Sequence, residues 1–221
     1  MNNKLLKLES CRLCSEDNVS IFYLDNENFD KIFFKCSDCN LIFVQQNSLP
    51  DTNVEKDRYL SHNNDLDDPD YQAFLSKLWN PLERRLENGS LGLDYGAGPG
   101  PALIKMMSGD GYFVEMYDPF FANNKEVLDR TYDFIVCTET AEHFHYPSKD
   151  FNRFDRMLKL NGFLGVMTSF TDNVSNFGDW YYRRDPTHVS FYSTKTMDWI
   201  AAKMNWRVDL IENNIVIFYK S

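Results

Sequence analysis

Asp94-Tyr95-Gly96-Ala97-Gly98-Pro99-Gly100 closes the apolar run Leu91-Gly92-Leu93 and leads into Pro101 to Met107. A short apolar run ending in a glycine turn reads as a β-strand, and the apolar stretch after it as a helix, so these seven residues form a strand–turn–helix joint. A dinucleotide fold would require G-x-G-x-x-G here, with backbone amides aimed at a pyrophosphate. Counted from Gly96, the third glycine would fall at position 101, which is Pro101. Pro99 and Pro101 each lack an N–H, and Asp94 would set a carboxylate beside the phosphates.

A ligand with a cationic head reverses that argument, because the carboxylate attracts it and the glycines let the backbone approach closely. S-adenosylmethionine carries an ammonium and a sulfonium and no phosphate. Asp118 ends the next predicted strand, Tyr112 to Tyr117, where an acid accepts ribose hydroxyls from either kind of ligand. Asp118 therefore supports the fold without choosing the cofactor.

Outward from this joint the pattern alternates strand with helix. Tyr132 to Thr138 reads as a buried strand, Ser148 to Leu160 as a helix, Phe163 to Thr168 as a strand and Thr194 to Met204 as a helix. Trp206 to Ile211 and Ile215 to Tyr219 form a closing pair of strands. Such alternation predicts an α/β fold with a mostly parallel sheet covered by helices on both faces. Tyr71 to Leu86 has helical apolar spacing, interrupted at Pro81. Cys137, inside a predicted buried strand, reads as a small core residue.

The first 48 residues differ in kind. Cys11-Arg12-Leu13-Cys14 and Cys36-Ser37-Asp38-Cys39 flank two β-prone runs joined by the turn-rich Asp25 to Asn28, with a third run at Leu41 to Val44. Two C-x2-C pairs supply the ligand count of a tetrahedral structural zinc site, and a module this small needs such a staple. This predicts a zinc-ribbon-like module over 1–48, an acidic linker over 49–70 and a cofactor-binding domain over 71–221.

The 221 residues carry 23 basic and 33 acidic side chains, a net charge of −10. That balance disfavours nucleic acid as a partner. No run of residues is long and apolar enough to span a bilayer, and the charged opening Met1 to Glu9 does not resemble a secretory signal, so a cytoplasmic location without membrane attachment is expected.

The motif D-x-G-x-G-x-G at 94–100, the acid at 118, the strand Tyr132 to Cys137 and the turn Asn161-Gly162-Phe163-Leu164 resemble the ordered motifs of class I S-adenosylmethionine-dependent methyltransferases. With the cysteine module in front, the chain resembles bacterial members that carry an N-terminal zinc ribbon. The resemblance implies a Rossmann-like, seven-stranded sheet whose last strand is antiparallel. It also implies that Asp94, Tyr95, Gly96, Ala97, Gly98 and Gly100 hold the methionine part of the cofactor. By the same resemblance Asp118, Pro119 and Phe120 hold the nucleoside, and Thr138 and Glu139 flank it. Only fourteen residues, 119 to 132, separate Asp118 from Asp133, which is short for the usual helix, strand and helix.

Glu139, Glu142 and His143 would share one face of a helix if the segment after Thr138 is helical, and two carboxylates and an imidazole suit a second, divalent metal. His188, in the long loop from Phe170 to Tyr192, is a candidate fourth ligand. The E-x-x-E-H pattern resembles that of metal-dependent O-methyltransferases acting on catechols or on the terminal ribose of small RNAs. His143 and His188 are equally candidates for a metal-free acid/base or positioning role. His145 reads as a turn residue. The aromatics beside Arg183 and Arg184 suit a flat or anionic acceptor, or else a packed loop whose arginines answer nearby acids. The leading expectation is methyl transfer to oxygen or nitrogen of a small-molecule acceptor. The rivals are an RNA methyltransferase, a cofactor-binding interaction protein without turnover, and a nicotinamide oxidoreductase.

Overall fold

The computed structural model describes residues 9–25, 31–61, 68–100 and 102–221. The opening residues through 8, residues 26–30 with the turn-rich Asn26 to Asn28, the middle of the acidic stretch at 62–67 and Pro101 lie outside the described residues.

The main sheet has six strands: β4 (Leu91–Tyr95), β5 (Phe113–Tyr117), β6 (Tyr132–Thr138), β7 (Leu158–Met167), β9 (Trp206–Glu212) and β10 (Ile215–Lys220), in the order β5-β4-β6-β7-β10-β9. The first four run parallel, whereas β10 is antiparallel to both β7 and β9. The last strand is therefore antiparallel, as the resemblance implied. The described sheet has six strands rather than the implied seven, because the short connection after Asp118 holds only a 3-10 turn, Lys125–Asp129.

Period-2 alternation puts each central strand into two cores at once. Ile135, Cys137, Val216 and Phe218 face helices α4 (Pro147–Met157) and α5 (Thr194–Met204), packing on Phe151, Phe154, Met197 and Ile200. Phe134, Val136, Ile215 and Ile217 face α2 (Pro69–Glu83) and α3 (Ala102–Gly109), packing on Leu78, Trp79, Leu82 and Leu103. Gly92 is required under the Phe134 ring, which a Cβ would meet at 2.1 Å. The helix α2 continues through Pro81 and ends two residues beyond it.

The cysteine region forms a second sheet, β1 (Val19–Asp25), β2 (Lys31–Cys36) and β3 (Ile42–Val44), all antiparallel. A fourth strand joins it from far along the chain: β8 (Ser190–Phe191) pairs with β3. Phe33, Ile42 and Val44 accordingly share a core with Phe177, Tyr182, Val189 and Phe191 of the long loop.

Within the stretch expected as a linker, Thr52–Leu60 is an α-helix, α1. Its N-terminus is capped by Asp51, whose carboxylate accepts from the amides of Asn53 and Val54. No residue of α1 is fully buried, so it is held by its side-chain ties rather than by a core face. Among the described residues no helix is long and apolar enough to cross a membrane.

Candidate active site

A cleft of about 1070 Å³ opens at the C-terminal ends of β4, β5 and β6. This is where the direction of winding reverses in an open α/β sheet, the usual ligand crevice of such folds. Its lining includes Asp94 to Gly100, Asp118, Pro119, Phe120, Thr138 and Glu139, the residues expected at the cofactor, and also Glu142, His143 and His188.

The glycine turn spends its amides on the protein itself. The N–H groups of Gly96 and Ala97 donate to the Tyr117 carbonyl at 2.8 and 3.3 Å. Gly98 N–H donates to the Asp118 carboxylate at 3.0 Å. Pro99 has no amide hydrogen, so the turn is a poor cradle for a diphosphate. Gly96 and Gly98 both sit at positive φ, +84° and +65°. A Cβ on Gly96 would strike the Thr140 side chain at 2.2 Å, so this glycine serves the packing of the joint.

Asp94, at the end of β4, is 4% exposed. Burial, together with the nearby Asp118 carboxylate, pushes its pKa up to about 7. A buried acid in this state gains from a cation more than from any other ligand. The Asp118 carboxylate accepts from the amides of Gly98, Phe120 and Phe121, bracing both turns. Phe120 and Phe121 occupy both lone pairs of Oδ1, whereas Oδ2 accepts only from Gly98 and keeps one lone pair for a further donor. Deeper in, Thr138 Oγ1, Glu139 Oε1 and Glu142 Oε1 are buried without a hydrogen-bond partner in the protein. Orphaned acceptors of this kind mark a polar ligand site.

After β6 the chain does not continue as an α-helix. Glu139 adopts φ +46°, which breaks helical geometry, and Ala141–His143 is a 3-10 turn. Glu142, His143 and His188 therefore converge, with one ligand atom from each within 4.8 Å of the others. Glu139 stands outside that group and approaches the Tyr182 hydroxyl at 3.5 Å instead. Burial and the neighbouring Glu142 raise its pKa to about 9. Glu142 is fully buried and accepts from Thr168 Oγ1 at 2.8 Å.

Both imidazoles are fixed by carbonyls of the long loop. His143 Nδ1 lies 3.0 Å from Thr187 O, and His188 Nδ1 lies 2.7 Å from Tyr182 O. A carbonyl only accepts, so each Nδ1 must carry a hydrogen, and in the neutral ring Nε2 is then the acceptor. Burial lowers the His188 pKa to about 4, which keeps that ring neutral.

The rest of the cleft wall was not foreseen. Thr52, Glu55, Arg58 and Tyr59 of α1 line it. Arg58 donates to Asp185 at 2.7 Å, and the Tyr59 ring meets both Phe120 and His143 edge-on, at 5.4 and 5.0 Å. His145, expected as a turn residue, pairs with Glu55 at 3.0 Å and also lines the cleft. Of the two loop arginines, Arg183 is buried against Asp25, while Arg184 is exposed at the cleft.

Away from the cleft, the four cysteines gather at one point, with Cys11–Cys39 and Cys14–Cys36 sulfur pairs each at 3.4 Å. The two knuckles match: Ser15 and Asn40, both left-handed, donate their amides to the carbonyls of Cys11 and Cys36. Four sulfurs around one zinc stand about 3.8 Å apart at Zn–S ~2.3 Å, so this donor set fits the ion. Hydrogen bonding from Cys39 lowers the Cys11 pKa to about 5, whereas burial pushes Cys14 up to about 12.

Residues 67–211 match the family described as a methyltransferase domain. A comparison with curated proteins finds no match. Among solved structures, the Burkholderia thailandensis 1,6-didemethyltoxoflavin-N1-methyltransferase, with its substrate and S-adenosylhomocysteine bound, superposes with a TM-score of 0.57 at 12% identity, covering 91% of this chain and 99% of that one. An S-adenosylmethionine-dependent methyltransferase from Aquifex aeolicus gives 0.50 at 18% identity, covering 74% and 96%. A methyltransferase of calicheamicin biosynthesis, bound to S-adenosylhomocysteine, gives 0.50 at 11% identity, and 67% of this chain spans 54% of its length. At these identities the likeness is one of fold. The family match covers well over half of the chain, which belongs to this methyltransferase family and is a class I S-adenosylmethionine-dependent methyltransferase.

Proposed function

We propose that this enzyme methylates an oxygen or nitrogen atom of a small-molecule acceptor, readied at Glu142, His143 and His188. The observation that carries the reading is the shared cleft. The turn suited to a cationic nucleoside and the cluster of Glu142, His143 and His188 line the same cavity, and Glu142 Oε1 is buried there without a partner in the protein. When bound, S-adenosylmethionine supplies an electrophilic methyl group. Asp94 would hold the ammonium, Asp118 the ribose, and Phe120 with Pro119 the base. Thr138 and Glu139 would stand at the inner end of the nucleoside.

The chemistry of the inner cluster favours a divalent cation. Two imidazoles and one buried carboxyl group are a donor set that suits a divalent cation, and the carbonyl partner at each Nδ1 orients its ring as metal-ligating imidazoles are oriented. A cation there would lower the cost of deprotonating a coordinated hydroxyl. Without it, the Nε2 atoms of His143 and His188 remain placed to accept the acceptor's proton. A small acceptor agrees with the net acidity of the chain and with the substrate bound by the Burkholderia enzyme. The cysteine cluster would hold a structural zinc, and the cytoplasm is the expected location.

Two measurements test this. Incubation with S-adenosylmethionine and fractionated metabolite extracts should yield S-adenosylhomocysteine, and His188→Ala should slow it by about 10²-fold or more. Tight cofactor binding with no turnover on any fraction would refute a small-molecule acceptor, and turnover only on added RNA would reassign it. Electron paramagnetic resonance of added Mn2+ should show uptake of one ion that Glu142→Gln abolishes. Activity indifferent to chelators, with no Mn2+ uptake, would leave the histidines in the metal-free role.

A further inference from the structure

The cysteine sheet is joined to the inner cluster more closely than an appended module would need. The strand β8 is two residues long and follows His188 by one residue. It has its ladder from β3, with Ile42 opposite Phe191, Phe43 opposite Ser190, and Val44 N–H donating to Val189 O at 3.0 Å. On its other side Val189 N–H donates to Glu142 O at 2.8 Å, and Ser190 Oγ to Phe144 O at 2.7 Å. The segment carrying His188 is thus clamped between the cysteine sheet and the turn that carries Glu142 and His143.

A second tie reaches the start of the same loop. Arg183 Nη1 donates to Asp25 Oδ2 at 2.5 Å, with both side chains no more than 5% exposed. The Arg183 Nε donates to the carbonyls of Phe177 and Gly178 and its Nη2 to the Gly178 carbonyl and the Tyr23 hydroxyl, and the guanidinium lies over the Tyr23 ring at 4.8 Å. Lys31 Nζ donates to Pro186 O at 3.3 Å. The carbonyls that fix the two imidazoles belong to Tyr182 and Thr187, each next in sequence to a residue so held. A shift of this loop relative to the cysteine sheet would therefore turn both rings at once. A buried ion pair adds little net stability but ties down geometry, because either partner left alone is costly.

We propose that the cysteine sheet is the positioning scaffold of the acceptor site. The Asp25–Arg183 pair and the β3–β8 pairing set the loop over 181–189, and with it the direction of the His143 and His188 Nε2 atoms. Asp25, Arg183 and Lys31 are positioning residues that act through the loop; none of them lines the cleft. This rests on the reading that Glu142, His143 and His188 ready the acceptor.

The test uses the full chain with two variants, Asp25→Asn and Lys31→Met, the second leaving the buried ion pair intact should the first fail to fold. Hydrogen exchange is followed over 182–191 and over 92–103, alongside S-adenosylhomocysteine affinity and Mn2+ uptake. The expected result is exchange about tenfold faster over 182–191 and unchanged over 92–103. Cofactor affinity should stay within about twofold, while Mn2+ affinity falls about tenfold. Equal acceleration of both segments, or loss of cofactor binding with them, would show a merely structural role and overturn the proposal. Unchanged exchange over 182–191 would also overturn it. If the wild-type protein takes up no Mn2+, the cation reading fails, and the exchange pattern still decides the positioning role.

Discussion

Cofactor affinity should depend on pH through Asp94. Its carboxyl is buried among apolar neighbours and faces Asp118, which lifts its pKa from an ordinary 3.8 to about 7. If the cofactor ammonium binds the carboxylate, binding must expel the proton wherever the free protein carries one. With a free-state pKa of about 7, binding should release ~0.9 proton at pH 6, ~0.5 at pH 7 and ~0.1 at pH 8. Affinity should fall about tenfold per pH unit below 7. Above the α-amino range of ~7.7–8 it should fall again, as the ligand loses its own charge.

The same shift carries a stability cost. A carboxyl whose folded pKa is raised favours the fold fully below its unfolded pKa, and that contribution is lost as pH rises through the folded pKa. The free protein should thus lose about 3 kcal/mol from this group between pH 4 and 7. Asp94→Asn should raise the Tm of the free protein at pH 8 and weaken cofactor binding by about 2 kcal/mol, or ~30-fold. Calorimetry with S-adenosylhomocysteine in two buffers of different ionisation enthalpy reads the proton count directly. No proton release at pH 6, or an affinity flat from pH 5.5 to 7.5, would refute the assignment of Asp94 to the ammonium.

Elemental analysis should find one zinc per chain that survives dialysis, and Cys36→Ser should release it and lower the Tm by ~6–12 °C, the equivalent of about 3 kcal/mol. Full stability after zinc removal would contradict the staple. Gly96→Ala should cost about 3 kcal/mol in urea denaturation, because the new methyl group meets Thr140 at 2.2 Å in a left-handed backbone. Pairing it with Thr140→Gly should recover part of that loss, and no recovery would mean that backbone strain alone sets the cost.

What could be read from the sequence follows from which forces are local. The strands β4 and β6 and the helix α5 fall where their apolar periods place them, since each is built from a continuous run of core residues. The boundary between α4 and β7 falls at Met157 and Leu158, rather than at the expected gap after Leu160. There an irregular register with β6 accommodates Asn161 at φ +64°, a geometry that periodicity does not encode. The helix α1 was missed because it has no apolar face. Its signal lay in the Asp51 cap and in Glu55 within the first turn, and Asp68-Pro69 marks the start of α2 in the same way. At the site, the glycine turn and the cysteine knuckles are legible because their chemistry is carried by spacing within a few residues. The Arg58–Asp185 contact in the cleft wall and the Asp25–Arg183 pair outside it span 127 and 158 residues, and only the fold brings such partners together.

The most direct test of the central assignment is a pair of calorimetric titrations at pH 7.5, one with S-adenosylhomocysteine and one with NADH. A glycine turn whose amides already serve Tyr117 and Asp118, beside a buried Asp94, should take one S-adenosylhomocysteine per chain and give no saturable heat with the diphosphate. Saturable binding of NADH that displaces S-adenosylhomocysteine would contradict it.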